Sequence, residues 1–413
     1  MVSDSQSRLV VGLVGGSHVV NHAYFMLLPP IFGPLRSDLG VTDAQLGIAL
    51  GTVGVVVTAF QLPLGSVSDS RGRKPVLALS LIFGALGALL TAAAQSYVWL
   101  LAASVVTGIG IAGHHPAHYP LIGSATTPAT RGRAYSVHGF FGVVGFAAPP
   151  AIVALFATLG LGWRLAIGTV AVLGGLYGVV ALLTFDRYVD DDITAPTRVV
   201  STDASLAQRA RSELRSVLSS PAILSLTVLW FVTSMAAWGI KQYTASLLTD
   251  VYRIPDPTAN FTVSAMLVTG AVVIFGGGWF TDRFSPAPVL LVGYAALVVV
   301  AAGLGLGLLP TLGALGLVMV LSATVDGSRP ARASLADALS TEDSAGKNFA
   351  LLTVGISGGA AVAPPVLAAV VERAGVEAAF LVLAGMGAVA IALTAVVLAV
   401  AGEPPTTGRA ASE

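Results

Sequence analysis

The chain has 413 residues, of which 55% are hydrophobic and 10% charged, and its 21 Lys+Arg balance 21 Asp+Glu. A soluble domain carries about 25% charge, so this composition excludes an ordinary soluble fold. The absence of cysteine excludes disulfides and thiolate metal sites, and zero net charge without a basic tract excludes a nucleic-acid surface.

The first nine residues are mainly polar, and no small-residue cleavage site follows the first apolar run, which therefore reads as a retained helix and not a signal peptide. Apolar stretches of roughly 20 residues, the length that crosses a bilayer core, then succeed one another. The first half gives spans at Val10–Phe32, Leu46–Leu64, Val76–Ala94, Trp99–Ile122, Tyr135–Leu159 and Arg164–Leu183. The second gives Ile223–Leu248, Phe261–Phe280, Val289–Leu309, Leu312–Leu335, Phe349–Val371 and Ala378–Val400. The expected organisation is a six-helix bundle over residues 1–185, a linker over 186–220, a second bundle over 221–402 and a tail over 403–413. The linker contains Asp190-Asp191-Asp192 and five arginines, with a short surface helix expected near Ser205–Leu218.

Orientation follows from the Lys/Arg bias of the loops. With both termini in the cytoplasm, fourteen Lys/Arg fall inside and only Arg36, Arg164, Arg253 and Arg373 outside. Lys241, Arg329 and Arg332 fall within spans. The expected location is the plasma membrane of a prokaryote, with the lipid bilayer as partner and a monomer as the working unit.

The two halves echo each other. Gly65-Ser-Val-Ser-Asp69-Ser-Arg71-Gly72-Arg73-Lys74 has a shorter copy in Gly278-Trp-Phe-Thr-Asp282-Arg283. His115-Pro116 aligns with Arg329-Pro330, Gly132-Arg133 with Gly346-Lys347, and Pro149-Pro150 with Pro364-Pro365, all at offsets of 213–215 residues. Four landmarks in order at half the chain length indicate a duplicated architecture.

Two six-span halves, a charged linker and the repeated Gly-x-x-x-Asp-x-Arg element resemble the major facilitator superfamily of secondary transporters. The resemblance covers nearly the whole chain. It implies an all-α membrane protein of 12 transmembrane helices in two pseudo-symmetric bundles, each built of 3+3 inverted repeats. It also implies alternating access, with Gly65, Asp69, Arg71, Gly72, Arg73, Asp282 and Arg283 serving the cytoplasmic gate. Physically, Gly65 would let two helices approach, Asp69 can accept from a helix N-terminus or an arginine, and Arg71, Arg73 and Lys74 suit anionic headgroups. Ser17-His18-Val-Val-Asn21-His22-Ala-Tyr24, Leu27-Leu28-Pro29-Pro30 and Gly113-His114-His115-Pro116 look like the fosmidomycin-resistance group of drug exporters. Span 5 leads from Gly139, Gly142 and Gly145 to Pro149-Pro150 without the Gly-Pro dipeptide common in drug antiporters.

In that superfamily, spans 1, 4, 7 and 10 line the central cavity. All six histidines lie in spans of the first half: His18 and His22 in span 1, His114, His115 and His118 in span 4, His138 in span 5. Lys241 falls in span 7, and Asp326, Arg329 and Arg332 in span 10. A charge at mid-bilayer costs at least about 2.5 kcal/mol and is usually inward-facing and functional. The expected substrate contacts are His22, His115, Lys241 and Arg329, with Tyr24, Trp238, Gln242 and Tyr243 as wall residues. His22, His115 and Asp326 are the expected proton-coupling groups, and Arg332 with Asp337 is expected at the inner gate. His138 is read as a structural residue bonding a backbone carbonyl. No metal site is expected, because no acidic or cysteine ligand accompanies the span 4 histidines.

The basic groups outweigh Asp326, so the expected substrate is a small anion that arginine can grip with two bonds. The expected function is proton-coupled efflux, with proton- or ion-coupled uptake of an anionic nutrient as the alternative and a non-transporting membrane sensor as a remote one. No phosphate-binding Gly-x-x-x-x-Gly-Lys-Ser/Thr loop is present, so neither ATP coupling nor any cofactor is expected. No nucleophile–base motif accompanies the histidines, which argues against an enzyme.

Overall fold

Apolar runs of this length leave the backbone no water to bond, so each must close its hydrogen bonds internally as helix. The computed structural model describes residues 3–196, 221–340 and 345–401, apart from the side chains of residues 128, 129, 275, 282, 345–350 and 401. The expected linker helix at Ser205–Leu218 and the tail lie outside the described residues. The first half comprises α1 (Asp4–Phe25), a 3-10 turn (Pro29–Ile31), α2 (Phe32–Leu39), α3 (Asp43–Arg71), α4 (Arg73–Ala92), α5 (Tyr97–Ala112), α6 (His114–Ala125), α7 (Pro128–Thr158), α8 (Trp163–Tyr188) and the short α9 (Asp191–Thr194). The second comprises α10 (Pro221–Asp250), α11 (Asp256–Arg283), α12 (Pro286–Gly305), α13 (Thr311–Asp326), α14 (Arg329–Ala338) and α15 (Ala345–Ala401).

These make twelve crossings. α15 is two spans in one run of helix, parted at Gly375, whose φ of +84° only glycine adopts without strain. Leu62, Leu173, Leu176, Leu183, Val292 and Val299 are each more than half exposed. Apolar surface on that scale belongs against lipid, not water. The ends of α1 and α8 meet where Gln6 Nε2 donates to the Tyr188 carbonyl at 2.7 Å, so six crossings return the chain to the side on which it begins. That side is the terminal side and the opposite one the far side.

Three spans depart from the apolar-run boundaries, each for a local reason. α1 starts at Asp4, where Ser3 Oγ accepts from Gln6 N, and stops at Phe25, before Pro29-Pro30. Spans 4 and 10 are each broken in two. Pro116 lacks an N–H and crowds the carbonyl of Ala112, and Pro330 does the same to Asp326, so α5 ends at Ala112 and α13 at Asp326. The breaks fall immediately before the His115-Pro116 and Arg329-Pro330 pair of the internal repeat.

The halves meet on the far side. Gly47, Gly51 and Gly54 form one face of α3 against Ala361, Pro364, Pro365 and Ala368 of α15. A Cβ at Gly54 would stand 2.7 Å from the Ala361 Cα, and one at Gly47 2.7 Å from the Pro364 carbonyl oxygen. Small residues here let two backbones touch. Around this seam, Glu372 Oε2 accepts from Ala44 N at 2.7 Å, Asn260 Nδ2 donates to the Pro30 carbonyl at 3.1 Å and Ser264 Oγ to the Ala147 carbonyl at 2.8 Å. The Glu372 carboxylate thereby caps the positive end of α3 from the other half. Arg36 lies 3.3 Å from Asp43 and 3.6 Å from Asp250, beside a recess of about 470 Å³ between the halves.

Replacing Gly54 by leucine should wedge this seam apart and shift the balance away from the far-side-closed state by about 1–3 kcal/mol. The chain has no native cysteine, so a single Thr249→Cys, in the recess, reports it. Maleimide labelling from the far side should accelerate in the Gly54→Leu background, and unchanged labelling would show that the glycine face does not set the closure.

Candidate functional site

The first half gathers all its histidines into one knot. His18 and His22 share a face of α1, His114, His115 and His118 occupy the first turns of α6, and His138 comes from α7. The His18 ring lies 4.1 Å from that of His22, 4.4 Å from His114 and 3.9 Å from His138, centroid to centroid, and His114 lies 3.6 Å from His118. Gly142 makes room for this: a Cβ there would meet the His18 ring at 2.5 Å and His22 Nδ1 at 2.9 Å. His18, His114, His118 and His138 are buried, while His22 and His115 are half-buried at the edge facing the second half.

The second half contributes charge. Asp326, the last residue of α13, is 5% exposed; Arg329 Nε lies 2.8 Å from its Oδ1, and Ser322 Oγ donates to Oδ2 at 2.5 Å. The Arg329 side chain is 47% exposed although it sits in mid-span. Together with the half-exposed Tyr119 of α6, it marks a cleft between the halves which, with the far side closed by the glycine seam, opens toward the terminal side. Lys241 is buried on α10, its Nζ 5.1 Å from the Phe146 ring centroid and 5.5 Å from that of Trp238. Phe146 also stacks on His22 at 4.1 Å, and so joins the histidine knot to Lys241.

Among the expected contacts, His22, His115, Trp238, Lys241 and Arg329 therefore gather around one cleft. Others do not. Tyr24 packs into the first bundle, against Gly84 and Gly174, because those glycines leave a slot for its ring. Gln242 and Tyr243 are wholly buried beside Lys241, Tyr243 with its ring 6.1 Å from Phe32. One helical turn cannot aim three successive residues at one cavity. His138 does not donate to a carbonyl; its own carbonyl accepts from His18 Nδ1 at 2.7 Å. Phe146 and the closeness of His18 and His114 to His22 were not readable from spacing along single helices.

The Major Facilitator Superfamily model matches residues 14–328. The chain belongs to the Major Facilitator Superfamily. It is 26% identical over 292 residues to the uncharacterized MFS-type transporter YfnC of Bacillus subtilis strain 168, covering 68% of this chain and 66% of that protein. It is 21% identical over 252 residues to the probable L-galactonate transporter of Escherichia coli K12, covering 60% and 55%. It is 24% identical over 300 residues to the multidrug resistance protein MdtL of Salmonella dublin, covering 72% and 71%. The chain thus spans between about half and two-thirds of the length of the first two relatives and somewhat more of the third. These relatives are transporters, not enzymes. The inward-facing, unoccupied crystal structure of a bacterial homologue of the human lysosomal transporter Spinster superposes with a TM-score of 0.74 at 17% identity, over 97% of both chains.

The superfamily's signature loop departs in detail from its expected contacts. Among the described residues, Gly65 has no neighbour within 4 Å of where a Cβ would stand, so it mediates no close helix approach between them. Asp69 and Arg71 are exposed. Arg73 is buried and donates to the Ile193 carbonyl of α9, and Lys74 pairs with Asp186, so part of this basic loop is tied to the start of the linker instead of to headgroups. Gly72 takes φ +94° at the tight turn between α3 and α4. Arg283 stacks on Trp279 at 4.1 Å, and the Asp282 side chain lies outside the described residues. Arg332 is buried and donates to Thr233 Oγ1 of α10, whereas Asp337 is exposed; no Arg332–Asp337 pair occurs among the described residues. α10 packs close enough to take the guanidinium first.

Asp326 is the one acidic side chain among Lys241, Arg329 and Arg332. Asp326→Asn should destabilise the protein by about 1–3 kcal/mol, less than the 3–5 of a fully buried pair because Arg329 is half exposed. Thermal unfolding in detergent checks it, and Asp326→Asn/Arg329→Gln should recover part of the loss.

Proposed function

We propose that the protein is a secondary active transporter of a small organic anion, working by alternating access and driven by protons in the direction of efflux. The observation that carries this is Arg329: a half-exposed guanidinium in mid-span, oriented by a buried aspartate and placed at a helix break. Arginine presents a planar fork to carboxylate or phosphonate. Lys241 adds a second positive charge, while His22, His115 and Trp238 supply the opposite wall and the floor.

Helix breaks at matching points of the two halves are where transporters of this architecture place their sites. The far-side seam and the terminal-side cleft correspond to one end state of the cycle. With the terminal side read as cytoplasmic from the fourteen-to-four bias of Lys and Arg, that state is inward-open. In it the signature loop is unlatched, consistent with the exposure of Asp69 and Arg71. The protein acts as a monomer in the plasma membrane on this reading. Proton exchange falls to His22 and His115, the two imidazoles at the cleft edge, while Asp326 serves as the counter-ion of Arg329. The multidrug relative favours efflux; the probable L-galactonate transporter favours an organic acid and supports uptake as a second reading.

Flux in proteoliposomes with an imposed pH gradient, screened against hydroxy acids and phosphonate drugs, tests the proposal. Arg329→Ala should lower affinity for the accepted anion by about 10- to 100-fold, the weight of one charged hydrogen-bonded contact. Anion flux indifferent to that change would sink the site assignment. His22→Gln should abolish accumulation driven by the pH gradient yet leave substrate counterflow intact. Loss of both activities would mean that His22 binds substrate without carrying the proton.

A further inference from the structure

Six imidazoles in one membrane bundle exceed what one coupled proton needs, and their hydrogen bonds restrict what can occupy the space between them. His18 Nδ1 lies 2.7 Å from the His138 carbonyl oxygen, and His22 Nδ1 lies 2.8 Å from that of Gly142. Carbonyl oxygens only accept, so both Nδ1 atoms carry hydrogen and in the neutral rings both Nε2 atoms present bare lone pairs. Those two Nε2 atoms are 3.0 Å apart. Two lone pairs at that separation repel unless a proton or a metal cation sits between them.

Two imidazoles bound to one metal ion through nitrogens about 2.0–2.1 Å away place those nitrogens about 2.9 Å apart at a right angle and about 3.3–3.4 Å apart at a tetrahedral one. The observed 3.0 Å lies at the narrow-angle end of that range. A ring nitrogen of His115 lies within 4.8 Å of both, completing a trio. The orientation is also that of metal ligands, which characteristically give their second ring N–H to a carbonyl or carboxylate. Behind the trio, His114 and His138 are buried with both ring nitrogens unpartnered, and they form a second trio that shares His18.

We propose that His18, His22 and His115 form a three-imidazole site for a divalent d-block cation such as Zn²⁺ or Co²⁺, with the fourth position open to the cleft. The donor set holds no carboxylate and no thiolate, which selects borderline metals over Mg²⁺ and Ca²⁺. His22 and His115 are half-buried at the cleft edge, which gives the ion an entry path and leaves room for water or an anionic ligand. Lys241 and Arg329 across the cleft are positive, so an anion bound between them and the metal would balance the charge. The trio was missed in the sequence because its members come from two helices and no acidic residue accompanies them.

Co²⁺ titration of the full chain, purified without a polyhistidine tag at pH 7.5, tests the site. One Co²⁺ per chain should produce visible d–d absorption, be displaced by stoichiometric Zn²⁺ and resist a thousandfold excess of Mg²⁺. His18→Asn should weaken binding at least 100-fold. His22→Cys gives a readout that misfolding cannot imitate: with no other cysteine in the chain, a thiolate-to-Co²⁺ charge-transfer band arises only if position 22 is a ligand. Absence of Co²⁺ binding by monodisperse wild-type protein overturns the proposal. So does binding that survives His18→Asn, or a His22→Cys protein that binds Co²⁺ without the band. The site rests on the transport reading only for the cleft: the metal and the coupling proton compete for the same His22 nitrogen, so anion flux measured in metal-free protein reports separately on that reading.

Discussion

Hydrocarbon offers no partner to a backbone N–H or C=O, and everything else in this protein is arranged around that constraint. It forces twelve crossings into helix and makes any interruption within a span costly. Two spans are nevertheless interrupted, each by a proline one residue past the group that matters: His115 before Pro116 and Arg329 before Pro330. The freed backbone can be tolerated there because the breaks lie beside a cleft instead of lipid. The guanidinium of Arg329 is half exposed beside the same cleft.

The duplicated frame sets positions, and divergence sets chemistry. Where the copies agree, at the paired prolines and the glycine-aspartate-arginine loops, the residues shape helices and turns. Where they differ, one half carries imidazoles and the other carries fixed charge. Arg329 and Asp326 form an ion pair that opens on one side to solvent, so the arginine retains free donors for a ligand. The imidazoles, four of them buried, are restrained by carbonyl oxygens of α7 and by the absence of a side chain at Gly142. A charged surface thus faces a cluster of imidazoles, joined by Phe146.

Much of this was legible beforehand. The twelve apolar runs and the two-fold repeat follow from hydropathy and spacing, because lipid burial demands long uniform segments. Arg329 and Lys241 stood out because charge is rare in such segments. Tyr24 and Gln242 point away from the cleft, and Arg332 turns toward α10, for one reason: a position within a span gives depth, whereas the direction a side chain points depends on which helix packs against it. Tyr24 meets Gly84 and Gly174; Arg332 meets Thr233. Gly65 shows the converse, since a glycine in a signature loop need not touch anything in a given state.

By itself the sequence determined the membrane class, the number and order of crossings, the two-fold repeat and which residues carry charge at membrane depth. These are properties of composition and spacing along one dimension, and the cost of placing polar groups in lipid reads them out directly. Only the tertiary structure decided that six histidines from α1, α6 and α7 form one cluster, that the Nε2 atoms of His18 and His22 come within 3.0 Å of each other, and that the far side is shut. Those facts depend on contacts between helices more than 100 residues apart in the chain. Contacts of that kind are set by how small residues let helices approach, not by the local pattern of any one of them.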